Sequence, residues 1–307
     1  MDEYPHNLAE CERRFATEEG CRSYLTALRW PDGFRCPRCG GHKAWPTGGL
    51  LRCAACQYKA SLTAGTIFQD TRAPLTLWFR AIWWVVSQKN GASAKGIQRI
   101  LELGSYQTAW AWLHKLRRAM VRPGRDRLAG TVEMDETYVG GEKPGKRGRG
   151  ARGKALVAVA VQDKGEEGIG RIRLAVVPAA SREALSGFAQ QTVEPGNIIR
   201  TDDWSGYGTL SQAGFRHVVV PSHELKLAHL AVSLLKRWLA GTHQGAVSHE
   251  HLAYYLDEYT FRFNRRRADH RGLLFFRLLQ NAMQIEPTTY RQMVQHVRGL
   301  KPLKRKI

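Results

Sequence analysis

The spacing of hydrophobic residues changes twice along this chain of 307 residues. From residue 75 to about residue 120, apolar and aromatic residues recur at the spacing that predicts amphipathic helices. From about residue 130 they form short runs typical of β-strands, with one helical segment before the last strand. Beyond residue 202 the helical spacing returns. The pattern therefore predicts an α/β domain with helical segments on either side.

The order of these segments predicts a particular class of α/β domain. We expect helices at 75–87, 93–101, 106–120, 181–191, 224–240, 249–266 and 271–283, and strands at 132–139, 154–162, 170–178 and 196–201. Three strands, a helix, a fourth strand and then helices is the order of a ribonuclease-H-like α/β domain. We assign this domain to residues 126–285 and a basic C-terminal tail to residues 286–307.

All six cysteines lie within the first 56 residues. Four of them form two Cys-x-x-Cys pairs, Cys36 with Cys39 and Cys53 with Cys56, and 13 residues separate the pairs. Four thiolates at this spacing suit tetrahedral zinc, although unpaired thiols are the alternative. We predict a structural zinc ribbon within an N-terminal domain at 1–65, and we expect Cys11 and Cys21 to be ordinary thiols.

Residues 66–125 are predicted to form a helix-turn-helix domain. The helix at 93–101 is followed by a turn that contains Gly104 and then by the basic helix at 106–120. A helix, a glycine-containing turn and a basic helix form the pattern of DNA-binding helix-turn-helix motifs. Lys115 and Arg117 are the candidate DNA contacts of the second helix. A solvated basic face is the alternative interpretation.

The charge of the chain indicates a polyanionic partner. Lys and Arg number 47 against 27 acidic residues, for a formal net charge of +20. This excess favours nucleic acid, which basic proteins bind by neutralising phosphates, over an anionic membrane surface. The apolar stretch at 77–86 is interrupted by Arg80 and is too short to cross a bilayer. No signal-peptide pattern is present, so we expect a soluble, cytoplasmic protein without membrane contact.

Two aspartates follow or end predicted strands in a way that suggests catalysis. Asp135 lies on the first strand and Asp202 directly after the fourth. Two divalent ions held by such carboxylates can promote phosphodiester chemistry. Each Asp could alternatively cap a strand end or a helix. By alternation, Glu133 shares a strand face with Asp135, whereas Glu136 does not, and Asp203 faces away from Asp202.

Four segments resemble the ISXO-type transposases of bacterial insertion sequences. They are DETYVGG from Asp135, TDDWSGY from Thr201, LKRWLAGTH from Leu235 and YLDEYTFRFNRR from Tyr255. The zinc ribbon and the helix-turn-helix also resemble the layout of that family. The resemblance spans nearly the whole chain. It implies a DDE-type transposase that cuts element ends and joins them to target DNA, using Mg or Mn.

The acidic triad of that family is only partly present here. The resemblance assigns its first two residues to Asp135 and Asp202. Its third residue, usually Glu, lies seven positions before a Lys, which is Lys236, so that His229 occupies the third position. His229 could be a metal ligand, a general acid or base, or a mark of decay in an inactive copy. Glu224 and Glu258 are possible substitutes, although we expect Glu258 to orient Arg262 or to support helix packing.

The resemblance also implies contacts with DNA and self-association. The candidate phosphate contacts beyond the helix-turn-helix are Lys236, Arg237, Arg262, Arg265 and Arg266, and the Gly-rich basic loop at 140–153 is a further candidate. Solvation of a basic face, or a plain loop, is the alternative for each. Holding two element ends implies a homodimer or larger assembly on DNA, located with the nucleoid of a bacterium.

Two other functions remain open from the sequence. The chain could be a catalytically degenerate transposase that acts as a zinc-ribbon DNA-binding protein. It could also be a metal-dependent nuclease on the same fold, which would cut DNA without joining it.

Overall fold

A computed structural model describes residues 4–140, 154–243 and 247–295 of the chain. The chain divides into two compact units. The first comprises Met1–Gly124 together with Ala268–Ile307, and the second comprises Arg125–Arg267. The basic loop predicted at 140–153 lies almost wholly outside the described residues, as does the end of the predicted C-terminal tail.

The secondary structure follows the predicted order closely. In chain order the helices are α1 Leu8–Arg14, α2 Glu18–Arg29, α3 Leu75–Ser87, α4 Ala94–Ile100, α5 Tyr106–Ala119, α6 Arg182–Thr192, α7 Lys226–His243, α8 Leu252–Asn264, α9 Arg271–Ala282 and α10 Tyr290–Val294. The strands are β1 Ala44–Thr47, β2 Leu50–Cys53, β3 Lys59–Ala60, β4 Thr131–Val139, β5 Ala155–Asp163, β6 Ile169–Val177, β7 Ile198–Thr201 and β8 Arg216–Val219. None of the described helices is long and apolar enough to span a bilayer.

Aromatic packing holds the first unit together. Trp78 of α3 stacks on Trp112 of α5 with ring centroids 3.7 Å apart. Phe275 of α9 is fully buried and meets Phe79 and Trp83 of α3 edge-on. Large buried rings contribute most of the apolar area in such a core. The helices of this unit are thus joined by side chains that lie far apart in sequence.

The position of α9 corrects the predicted domain limits. We expected the catalytic domain to continue to residue 285, but Ala268–Ile307 belongs to the first unit. The reason is the apolar face of α9, which packs against α3 and α5 rather than against the sheet of the second unit. The two domains predicted at 1–65 and 66–125 likewise form one compact unit.

The predicted helix, turn and helix are present as α4 and α5. Ser93 and Ser105 start them, because their side chains accept the backbone N–H groups of Gly96 and Thr108 respectively. The turn between the helices contains Glu102 with a φ of 51°. The two helices therefore form as expected, while a role in DNA binding is a separate question.

A five-stranded mixed sheet forms the second unit. The strand order is β6-β5-β4-β7-β8, in which β6, β5 and β4 are antiparallel and β4, β7 and β8 are parallel. The continuous apolar run of β5 is explained by burial on both faces. Alternate β5 residues enter a core with α6 on one face and a core with α7 and α8 on the other. The predicted α/β class of this domain is confirmed, and the structure shows that its sheet is mixed.

Two expectations about this sheet are wrong in detail. The chain after Asp202 is not wholly helical, because β8 adds a parallel edge strand. Its residues Val218 and Val219 are exposed, so this short strand shows no apolar alternation in the sequence. Asp135 is also not at a strand end. It lies in the middle of β4 and pairs with Val159 of β5.

Candidate metal centres

The four paired cysteines converge at one point in the first unit. The Sγ atoms of Cys36 and Cys56 are 3.7 Å apart and those of Cys39 and Cys53 are 3.6 Å apart. All four lie within 4.8 Å of one another. Four sulfurs around a zinc ion with bonds of about 2.3 Å would be separated by about 3.8 Å. The cluster therefore fits one tetrahedral zinc ion.

Two similar turns produce this convergence. Gly40 follows the first cysteine pair with a φ of 75°, and its N–H donates to the carbonyl of Cys36. Gln57 follows the second pair with a φ of 58°, and its N–H donates to the carbonyl of Cys53. Both residues adopt the left-handed conformation that folds the chain back at each pair. The second turn forms without a glycine.

The remaining cysteines behave as ordinary buried thiols. Burial raises the pKa of Cys11 and of Cys21 to about 12 in each case. Backbone N–H groups of Cys56 and Ala55, by contrast, help to lower the pKa of Cys53 to about 7. A thiolate is the metal-binding form of cysteine, so burial disfavours metal binding by Cys11 and Cys21, whereas the environment of Cys53 favours its thiolate.

Asp135 lies on β4, and Asp202 directly follows the neighbouring parallel strand β7. The pairing of β4 with β7 runs from Thr131 opposite Ile198 to Glu133 opposite Arg200. Two residues further along each strand bring the chain to Asp135 and Asp202. Because side chains alternate, both aspartates continue the face on which Glu133 and Arg200 meet. The sheet thus brings together two carboxylates that are 67 positions apart in the sequence.

Helix α7 covers this face and adds His229. Its residues Ala228 and Ala231 are buried in the core beside β5. His229 Nε2 lies 3.5 Å from Asp135 Oδ2, and the two side chains are 46% and 19% exposed. The third position assigned from the sequence therefore lies beside the first. The exposed part of His229 leaves its ring accessible from solvent.

The surroundings of Asp135 disfavour its charged form. Its pKa is raised, first by burial and further by the nearby charges of Glu136 and Asp202. The N–H of Glu136, which donates to Asp135 Oδ1 at 2.8 Å, and the ring of His229 act in the opposite direction. A bound cation would offset both the burial of Asp135 and the repulsion from its two acidic neighbours, and so would favour its charged form.

Asp202 is held by the turn that follows β7. Its Oδ1 accepts the N–H of Trp204 at 3.2 Å, and the indole of Trp204 donates to the carbonyl of Ala180 at 2.9 Å. A groove beside Asp202 is lined by Trp204, Val219 and Pro221. Asp203 is exposed. Among the described residues, only the four cysteines place three or more potential ligand atoms within 4.8 Å of one another. The potential ligand atoms around Asp135 are therefore further apart than those of the ribbon.

The other acidic residues of this region are engaged in the fold. Glu136 accepts the phenol of Tyr207 at 2.6 Å on the opposite face of β4. Glu224 lies 3.6 Å from Arg200. Glu258 is fully buried and lies 2.8 Å from Arg262, in agreement with the expected orienting role. None of these contacts places Glu224 or Glu258 beside Asp135, and His229 occupies that position instead.

The candidate DNA-contacting residues differ in their surroundings. Lys236 and Arg237 of α7 are exposed. Arg262 pairs with Glu258, Arg265 lies over the ring of Phe261 at 4.1 Å, and Arg266 donates to the carbonyls of Ile169 and Gly170. These three guanidinium groups are therefore occupied within the second unit.

In α5, burial argues against one of the two predicted contacts. Arg117 is only 2% exposed, so the phosphate contact expected of it has no support in this structure. The buried part of α5 extends to its last turn, and Arg117 lies within it. Burial lowers the pKa of Lys115, and the nearby charge of Asp70 partly counteracts this shift. Lys115 is half-buried.

Sequence reasoning placed Glu133 on the strand face of Asp135 but gave it no role, and it missed Arg200. The signal for Glu133 was its place on the same strand face as Asp135. Its binding partners could not be read from the sequence, because they belong to α7 and β7. Both residues contact the elements that carry the candidate site.

Comparison with known families decides the identity of both regions. The ISXO2-like transposase domain matches residues 127–264, and the transposase zinc-ribbon domain matches residues 16–59. The chain carries an ISXO2-like transposase domain and a transposase zinc ribbon. The resemblance found in the sequence motifs is confirmed, and the four-cysteine cluster lies within the segment that matches the transposase zinc-ribbon domain.

Individual proteins show weaker similarity to this chain. An uncharacterized protein in transposable element ISH50 of Halobacterium salinarum is 24% identical over 279 residues, which cover 81% of this chain and 92% of that protein. Structures of the Mos1 strand transfer complex and of a pre-cleavage Mos1 transpososome cover 73% of this chain and 79% and 80% of theirs, at 14% and 12% identity. Both have a TM-score of 0.27, which supports no structural conclusion.

Replacing Cys53 should remove the zinc ion. We expect about one zinc per native chain, and close to none in Cys53→Ala, because three thiolates lack the fourth tetrahedral ligand. Elemental analysis of the purified protein measures this. The matched variant Cys21→Ala removes a buried thiol outside the cluster and should keep the native zinc content. Equal zinc in both variants would contradict the assignment.

Neutralising Asp135 should stabilise the metal-free protein at neutral pH. Its pKa is raised in the folded state, so the stability linked to its proton is present below the unfolded pKa of about 3.9 and is lost as the pH rises through the folded pKa. Asp135→Asn avoids this loss. We expect its Tm at pH 7.5, measured in chelator, to exceed that of the charge-matched control Asp203→Asn, with the difference shrinking towards pH 4. A lower Tm for Asp135→Asn at pH 7.5 would contradict the electrostatic account.

Proposed function

We propose that this protein is a DDE-type transposase that cleaves DNA at the ends of an insertion sequence and transfers the strands to target DNA. The observation that carries the proposal is the arrangement of Asp135 and Asp202. Each lies two residues after the pair of Glu133 and Arg200, the last pair that joins β4 to β7. His229 lies 3.5 Å from Asp135. The strand order β6-β5-β4-β7-β8 supports a ribonuclease-H-like fold for this domain.

The side chains at this site suit Mg or Mn. Asp135 and Asp202 offer the carboxylate oxygens that hard divalent cations prefer. His229 adds an imidazole, which Mn accepts more readily than Mg. The raised pKa of Asp135 fits the proposal as well, because a cation would restore its charged form. When bound, such ions supply activation of an attacking oxygen and stabilisation of the leaving oxygen.

The position of His229 allows two roles in this reaction. Its Nε2 faces Asp135, so it can complete the ligand set from α7. Because its ring is nearly half exposed, it can alternatively act as a general acid or base towards solvent or substrate. Either role uses the side chain at the mouth of the site rather than in the core.

DNA is the substrate and partner that the charge of the chain supports. Lys236 lies on α7 seven residues after His229, about two turns along the same helical face. Lys236 and the neighbouring Arg237 are exposed, which suits phosphate contacts close to the reacting strand. Lys115 of α5 and the zinc ribbon are the proposed contacts of the first unit, with α4 and α5 as its helix-turn-helix.

The assembly and the location follow from the reaction itself. Joining both ends of an element requires two active sites on DNA, so we propose a homodimer or larger assembly. A protein that acts on bacterial DNA without membrane contact would lie in the cytoplasm with the nucleoid. Both proposals rest on the function and are tested with it.

Removing the charge of Asp202 should abolish the reaction. We expect Asp202→Asn to slow cleavage and strand transfer by roughly 100-fold or more in Mn, because several kcal/mol of transition-state stabilisation are lost. The matched variant Asp203→Asn changes the neighbouring exposed carboxylate and should retain native rates. A gel assay with labelled element-end DNA measures both steps. Equal rates for the two variants would refute the assignment, and cleavage without joining would favour a nuclease.

Replacing His229 by Glu distinguishes an active enzyme from a degenerate copy. In an active enzyme that uses His229, we expect His229→Glu to shift the metal preference from Mn towards Mg, because a carboxylate replaces an imidazole. The ratio of strand-transfer rates in the two metals measures this shift. If the native chain binds DNA but is inert, and His229→Glu gains activity, the degenerate DNA-binding protein is the correct description.

A further inference from the structure

The candidate site is carried by β4, α7 and the segment at the end of β7. Glu133 is a buried carboxylate of β4 that contacts both α7 and β7. Glu133 lies on β4 two residues before Asp135, and its side chain is on the same face of the sheet. It is only 2% exposed. A carboxylate buried to this degree requires hydrogen bonds or cations that replace its lost hydration.

Backbone groups of α7 provide the first part of that compensation. Glu133 Oε2 accepts the N–H groups of Leu227 and Ala228, both at 2.9 Å. These are the second and third residues of α7, where N–H groups have no partner within the helix. The partial positive charge of a helix N-terminus also favours an acidic group at this place. The bonds fix the start of α7 on β4 directly before His229.

An arginine of β7 provides the second part. Arg200 Nη1 lies 3.7 Å from Glu133 Oε1, and Arg200 Nη2 lies 3.6 Å from Glu224 Oε2. Arg200 precedes Asp202 by two residues, as Glu133 precedes Asp135. Glu133 is thus linked to β7 as well as to α7, one or two residues away from each proposed active-site side chain.

We propose that Glu133 is a positioning residue of the active site, which sets the distance between His229 and Asp135 by holding the N-terminus of α7. This inference rests on the metal-dependent reaction proposed above. Oε2 binds the two N–H groups and Oε1 faces Arg200, so Glu133 acts through α7 and β7 rather than on the reacting atoms. The length of its side chain is the property that matters most.

Two conservative variants separate length from charge. Glu133→Gln keeps the reach and an oxygen acceptor for Leu227 and Ala228, but removes the charge beside Arg200. Glu133→Asp keeps the charge, but withdraws the carboxylate by about 1.5 Å, one carbon–carbon bond. Glu224→Gln is the control, since Glu224 shares Arg200 but accepts neither N–H group. All three variants would be crystallised without metal and titrated with Mn by electron paramagnetic resonance.

We expect Glu133→Gln and Glu224→Gln to keep the 3.5 Å contact between His229 and Asp135 and the native Mn affinity. Glu133→Asp should lengthen that contact beyond 4 Å and weaken Mn binding by roughly tenfold, as changes behind a ligand set do. An unchanged contact in Glu133→Asp, or its loss in Glu133→Gln, would overturn the inference. Absence of Asp135-dependent Mn binding in the native chain would instead refute the proposed function, while the metal-free structures still decide the role of Glu133.

Discussion

The parallel pairing of β4 with β7 is the constraint on which the candidate active site depends. Three residue pairs, ending with Glu133 opposite Arg200, fix the relative positions of the two strands. Their continuation brings Asp135 and Asp202 to the same face. A shift by one residue would turn every side chain of β7 to the other face, so the pairing sets both the core and the site. The burial of Ile199 on the opposite face makes such a shift costly.

The site concentrates negative charge in a strongly basic protein. Asp135 is disfavoured as an anion by burial and by its acidic neighbours, and only part of this effect is offset by the N–H of Glu136 and the ring of His229. Among the described basic residues, Arg262 and Arg266 bind partners elsewhere in the unit, and Lys236 lies further along α7. A cation that enters from solvent would be favoured at this place.

The sequence predicted those features that depend on neighbouring residues. The Cys-x-x-Cys spacing predicted the ribbon, and the apolar run of β5 predicted a buried strand. The family resemblance pointed to His229, which lies beside Asp135. Sequence reasoning failed where distant segments decide the outcome. The exposed strand β8 has no apolar alternation, the apolar face of α9 does not reveal which unit it joins, and the burial of Arg117 follows from how α5 packs. The partners of Glu133 depend on where α7 docks.

The most direct test of the account is the location of Mn in crystals soaked with that metal. Anomalous diffraction at the manganese edge is expected to show density beside the carboxylates of Asp135 and Asp202, the residues that would hold the metal. Zinc should be found only among Cys36, Cys39, Cys53 and Cys56. Manganese bound elsewhere on the sheet, or absent from this face at saturating concentration while the ribbon retains zinc, would contradict the central claim that the two strands form a catalytic metal site.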